Sequence, residues 1–224
     1  MVACASPGNQ PLPGTTEVAP TSSDARPPVR YVALGDSYTI GTGVAREERW
    51  PDQLVAALSD RVRLELVANL GVNGYTSDDV LQFQLAQLAD SRPGFVTLLV
   101  GVNDVVRGVT LDRYRANVQQ ILAGVVELVG RERIVVVSTP DYTRTPRGAD
   151  FGPPLAQRAA IKAVNEAMAA LCAERGIAFV DISLIADEAE SDRSLVAQDL
   201  LHPSGLQYSR WVELIAPVVE ALSE

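Results

Sequence analysis

From Val29 onward the chain alternates short apolar runs rich in β-branched residues with longer amphipathic runs at helical spacing, and this alternation constrains the fold most. It predicts strands at Val29–Gly35, Leu64–Leu70, Phe95–Val100, Ile134–Val137 and Ile177–Val180. The first strand alternates, is rich in β-formers and reads as a buried strand that stops at Gly35, and Phe95–Val100 reads as a central strand buried on both faces. Between them fall a helix opened by Trp50-Pro51 with Leu54 and Leu58 inward, and one capped by Thr76 or Ser77 with Leu81, Leu85 and Leu88 on one face. A third, capped by Asp112, carries Tyr114, Val118, Ile121, Val125 and Leu128. A fourth carries Ile161, Val164, Met168 and Leu171, with Cys172 on its apolar side, and ends at Gly176. The closing helix runs from Ser204 to Leu222, with Pro217 predicting a kink or an early end. Strands and helices in strict alternation imply an α/β fold with a parallel sheet covered on both faces, a single domain over residues 29–224.

Composition narrows the function. A net charge of -9, with Lys162 as the only lysine, argues against a nucleic-acid partner, because phosphate binding needs clustered basic residues. One histidine and two cysteines supply no zinc constellation, and no apolar run spans a bilayer. Neither metal nor organic cofactor is expected. Residues 1–28 are dominated by Pro, Gly, Ser, Thr, Asn and Gln, which reads as a flexible tether.

Four short blocks stand at predicted strand ends or loops, in this order: Gly35-Asp36-Ser37, Asn73-Gly74, Gly101-Val102-Asn103-Asp104 and Asp199-Leu200-Leu201-His202. A serine on a turn at the carboxyl end of a strand sits where open α/β sheets place ligands. Gly41 and Gly43 argue against a regular element directly after it, and Gly101 reads as room for a ligand beside Asn103. A serine hydroxyl needs a neighbouring base, and His202 is the only imidazole in the chain. Asp199, three residues earlier, is spaced to face its Nδ1–H. Asp36 and Asp104 are expected to brace their loops through hydrogen bonds to backbone.

These blocks resemble those of the SGNH hydrolases, the GDSL esterase/lipase family, with Ser37, Gly74, Asn103 and His202 in the four named positions. The resemblance implies a flavodoxin-like three-layer α/β/α sandwich with a five-stranded parallel sheet in the order 2-1-3-4-5. It also implies a serine esterase acting on a small-molecule ester through an acyl-enzyme, with Ser37, His202 and Asp199 as catalytic residues. The backbone N–H groups of Ser37 and Gly74 and the side chain of Asn103 would form the oxyanion hole. Tyr38, Tyr75, Tyr142 and Phe151 are candidates for lining the substrate pocket, residues 141–154 for a specificity loop, and a short acyl group is expected because no large apolar lid is visible. Transfer of the acyl group to a sugar or alcohol is the competing reaction. A binding protein on the same scaffold is a third reading, against which the joint presence of Ser37, Asp199 and His202 argues. Val2-Ala3-Cys4-Ala5-Ser6 resembles the end of a bacterial lipoprotein signal, which implies an exported protein tethered to a membrane through a lipidated Cys4.

Overall fold

The computed structural model describes residues 1–2 and 27–223; the tether and Cys4 lie outside them, apart from its end residues. Five parallel strands form one sheet in the order β2-β1-β3-β4-β5: β1 Val29–Gly35, β2 Leu64–Asn69, β3 Phe95–Leu99, β4 Ile134–Val137 and β5 Ala178–Val180. The helices are α1 Ser37–Ile40, α2 Trp50–Leu58, α3 (Ser77–Asp79, a π-helical turn Val80–Gln84, then Leu85–Ser91), α4 Val102–Val106, α5 Leu111–Val129, α6 Pro154–Arg175, α7 Ser183–Glu188 and α8 Gly205–Ala221. α2 packs with α8, while α5 packs with α3 and α6, giving the two helical layers of a three-layer sandwich.

β1 is buried over most of its length and ends at Gly35, as expected. Tyr31 to Gly35 are all buried, and the Tyr31 hydroxyl shares a 2.7 Å hydrogen bond with Thr97 Oγ1, so a polar tip is accommodated inside the sheet layer. β3 stops one residue early because the Val100 carbonyl accepts from the Tyr114 and Thr139 hydroxyls, each at 3.1 Å. In α3 the buried positions are Ser77, Val80, Gln84 and Leu88, whereas Leu81 and Leu85 are only half-buried. Thr110, not Asp112, caps α5 by accepting from Arg113 N–H, and Leu128 is exposed near that helix's end. α6 ends at Gly176 in the left-handed region, and Cys172 is fully buried. α8 continues through Pro217 to Ala221, held by buried Ile215, Ala216 and Val219.

The chain leaves β1 through α2 to reach β2, then passes through α3 on the other face to reach β3. The strand order therefore reverses between β1 and β3, whose ends are in register at Gly35 and Leu99. That crevice is where an open sheet binds its ligand.

Candidate active site

At the end of β1, Gly35 sits at φ +150, and a Cβ there would run into the Leu99 carbonyl and the Thr39 hydroxyl. Its peptide groups are clamped from α3: Gln84 Oε1 accepts from Gly35 N–H at 2.9 Å and Gln84 Nε2 donates to Gly35 O at 2.7 Å. Asp36 follows as a helix cap, accepting from Tyr38 N–H at 3.0 Å, so Ser37 opens the single turn of α1 rather than an irregular loop. Gly41, left-handed at φ 77, ends that turn. Ser37 is nearly buried at 7% exposure.

The segment between α7 and α8 brings histidine and aspartate to this serine. It is pinned by a bridge between Val196 and Pro203 and by Ala197 N–H donating to His202 O at 2.8 Å. Leu200 is left-handed at φ 65, which folds the backbone of residues 199–202 around the Asp199 carboxylate. Asp199 Oδ1 accepts from the N–H groups of Leu201 and His202, both at 3.0 Å, and Oδ2 faces His202 Nδ1 at 2.6 Å. His202 Nε2 lies 3.0 Å from Ser37 Oγ. Burial pushes the Asp199 carboxyl up, but hydrogen bonds from the His202 ring and the two backbone N–H groups outweigh it and hold the carboxyl below the usual range. Tyr38 supports the imidazole ring, centroids 5.3 Å apart, and is backed by Trp211 at 6.5 Å.

The opposite wall comes from β3 and the loop after β2. Gly101 starts α4 at φ +144, and a Cβ there would come within 2.7 Å of Thr139 Oγ1. Its smallness thus serves packing against Thr139 and Tyr114, not a ligand. Asn103 Nδ2 donates to Tyr75 O at 3.0 Å and, loosely, to Asp36 Oδ2 at 3.4 Å. Gly74 is at φ +80, with its carbonyl accepting from Arg107 Nη2 at 2.7 Å, and Thr42 Oγ1 donates to Asn73 Oδ1 at 2.5 Å. No acceptor among the described residues takes the N–H of Ser37 or of Gly74.

Two buried carboxyls lie beneath. Burial pushes Asp36 up to about 7, opposed by the Tyr38 N–H and helped by the charge of Asp104. Burial also raises Asp104, which accepts from Ser77 N–H at 2.9 Å and from the Ser77 hydroxyl at 2.5 Å. Both thus brace loops, Asp36 also meeting the Asn103 amide.

The aromatic candidates divide. Tyr38 and Tyr142 are buried, at 3% and 2% exposure. Tyr142 hydrogen-bonds Gln157 and packs edge-on against half-buried Phe151. Tyr75 is half-buried against Phe83, whose ring is exposed. Residues 141–154 fold as two 3-10 turns, Tyr142–Arg144 and Gly148–Phe151, and join the histidine segment through Arg147 N–H donating to Leu200 O at 3.1 Å. Gln84, Arg107 and Thr42 were not singled out from sequence, although Gln84 does fall at helical spacing between Val80 and Leu88.

The model of the GDSL-like lipase/acylhydrolase family matches residues 33–210, well over half of the chain. Esterase TesA of Pseudomonas aeruginosa is 25% identical over 191 residues, 85% of this chain and 88% of that protein. Among solved structures, the crystal structure of TesA aligns with TM-score 0.69 at 20% identity, covering 86% of this chain and 99% of that one. Axe2, an acetylxylan esterase from Geobacillus stearothermophilus, aligns with TM-score 0.66 at 19% identity, covering 85% and 94%. The matched stretch runs from inside β1 into α8 and so takes in both walls of the crevice; the chain belongs to the GDSL-like lipase/acylhydrolase family and is a carboxylic ester hydrolase.

Proposed function

We propose that the protein hydrolyses carboxylic esters with short acyl groups through an acyl-enzyme on Ser37. Ser37 Oγ attacks the acyl carbon while His202 Nε2 takes its proton, and the Asp199 carboxylate stabilises the imidazolium that forms. The carbonyl oxygen, now an anion, is received by the N–H groups of Ser37 and Gly74 and by the Asn103 amide, whose loose contact with Asp36 is the one it gives up. Collapse expels the alcohol, which takes the proton from Nε2. Water then attacks the acyl carbon, passing its proton to Nε2, and the acid leaves with Ser37 restored.

The observation that carries this reading is the unbroken chain from Ser37 Oγ to His202 Nε2 at 3.0 Å and from Nδ1 to Asp199 Oδ2 at 2.6 Å. The reading of a short acyl group is supported by residues 141–154, which are tied down to α6 and to Leu200 instead of standing off as an apolar lid. The proposal extends to location: export with a lipid on Cys4, supported by the Val2–Ser6 likeness to a lipoprotein signal, and tested by metabolic labelling of Cys4 and Cys4→Ser forms.

The test is release of nitrophenolate from p-nitrophenyl esters ranging from acetate to laurate. Wild type should be fastest on acetate and butyrate, and Ser37→Ala should be inert on all of them. Equal release by both proteins would remove Ser37 from the reaction, and a maximum at laurate would reverse the acyl-length assignment.

A further inference from the structure

Arginines in this protein mostly answer carboxylates. Arg49 meets Asp52 at 2.8 Å, Arg61 meets Glu220 at 2.9 Å, and Arg158 meets Asp141 at 3.0 Å. Arg107 does something else: although acidic residues outnumber basic ones, 28 to 19, it makes no ion pair among the described residues and donates instead to the Gly74 carbonyl.

That carbonyl belongs to the loop carrying the proposed Gly74 oxyanion donor, and the loop is gripped residue by residue. Thr42 holds the Asn73 side chain, Arg107 holds Gly74 O at 2.7 Å, and Asn103 holds Tyr75 O at 3.0 Å. Asn103 and Arg107 are four residues apart at α4, so they reach from one side to two successive carbonyls. The middle grip matters most. Glycine is the residue with the widest torsional freedom, and Gly74 at φ +80 has no side chain to restrict its rotation. Fixing its carbonyl sets the peptide plane on one side of its Cα, and through that Cα steadies the preceding plane, whose N–H is the donor.

We propose that Arg107 is a positioning residue that aims the Gly74 N–H at the developing oxyanion. The inference rests on the reading of Gly74 as an oxyanion donor. An oxyanion donor misaimed by a fraction of an ångström loses strength in the transition state while substrate binding is little affected. Removing a donor outright costs about 10²- to 10³-fold in kcat, so loosening one should cost about tenfold.

The experiment compares wild type, Arg107→Met and Arg107→Lys on p-nitrophenyl acetate, together with the rate at which a fluorophosphonate labels Ser37. Methionine keeps an apolar stem without a donor; lysine restores a donor able to reach a carbonyl. Arg107→Met should lower kcat about tenfold with KM within about twofold, labelling should slow by the same factor, and the unfolding midpoint should stay unchanged because the side chain is exposed. Arg107→Lys should recover most of both rates. Unchanged kcat and labelling in Arg107→Met, with Ser37→Ala inert, would overturn the inference and leave the hydrolase reading standing. So would a rise in KM confined to an anionic ester such as p-nitrophenyl hemisuccinate with kcat intact, because the guanidinium would then be reading substrate charge. An inert wild type would instead sink the hydrolase reading itself.

Discussion

Replacing Asp199 with asparagine should damage the site more than deleting the side chain with alanine, because its two oxygens have different duties. Oδ1 serves two backbone N–H groups, from Leu201 and His202 at 3.0 Å each, and Oδ2 faces His202 Nδ1 at 2.6 Å. An amide has only one acceptor. Turning its oxygen toward the imidazole would set its NH₂ against two backbone donors, forfeiting two hydrogen bonds at about 1 kcal/mol each and adding the cost of burying unpaired groups, for about 3–5 kcal/mol in all. The oxygen therefore stays with the backbone and the NH₂ donates to Nδ1, which forces the ring proton onto Nε2. In that tautomer Nε2 points a hydrogen at Ser37 Oγ and cannot take one from it. Restoring the productive tautomer alone costs about 10²- to 10⁴-fold, and the imidazolium also loses its carboxylate, so kcat should fall about 10⁴-fold or more. Alanine leaves Nδ1 free to meet water in either tautomer, so its loss should be the smaller of the two. Initial rates on p-nitrophenyl acetate, with unfolding midpoints as a control, give the ordering. Asp199→Asn turning over as fast as Asp199→Ala, or faster, would refute the assignment of the two oxygens.

Two further outcomes follow from the buried polar groups near Ser37. Gln84→Leu keeps volume but removes the side-chain partner of the Gly35 N–H and leaves the Gly35 carbonyl only the 3.3 Å bond from the Val72 N–H, so urea unfolding should show a loss of about 1–3 kcal/mol; a change under about 0.5 kcal/mol would mean the clamp is not holding β1. Burial raises Asp36 to about 7, well above the ordinary carboxylate range, so between those values the folded protein keeps a proton that the unfolded chain has released. Its contribution to stability is complete below about pH 4 and is lost as pH rises through about 7; Asp36→Asn should flatten that decline in unfolding midpoint, leaving the same-signed part due to Asp104. Parallel profiles for the two proteins from pH 4 to 8, read by thermal unfolding, would exclude Asp36 as the group responsible.

What the sequence discloses and what it hides divide along a physical line. β3 and β4 are legible because a strand buried on both faces is almost wholly apolar, Thr97 being the one exception and paired with Tyr31, and α6 because its stripe keeps step with 3.6 residues per turn until Gly176. The stripe in α3 misleads for the converse reason: a π-helical turn slips the phase within Val80–Gln84, so that Gln84 goes inside and Leu81 and Leu85 drift toward the rim. Thr110 and Asp112 both have cap chemistry, and only the path of the chain into α5 decides between them.

The crevice repeats the pattern. Ser37, Asn103, Asp199 and His202 stand at strand ends or in short blocks, and a nucleophile, an amide and an acid–base pair are chemically distinct enough to be noticed as residue types. The side chains that set their surroundings act on backbone atoms far along the chain: Gln84 on Gly35, Arg107 on Gly74, Asn103 on Tyr75. A carbonyl or N–H belongs to nearly every residue, so the position that receives such a bond carries no mark in the sequence, and the donor looks like any surface arginine or helical glutamine. Gly101 shows the same ambiguity in reverse. Its missing side chain announces a close approach, but only the fold reveals that what approaches is the Thr139 hydroxyl and not a substrate. In this protein, then, the groups that could react are written locally, and the groups that aim them are defined by the sheet that brings β1, β3 and the loop after β2 together.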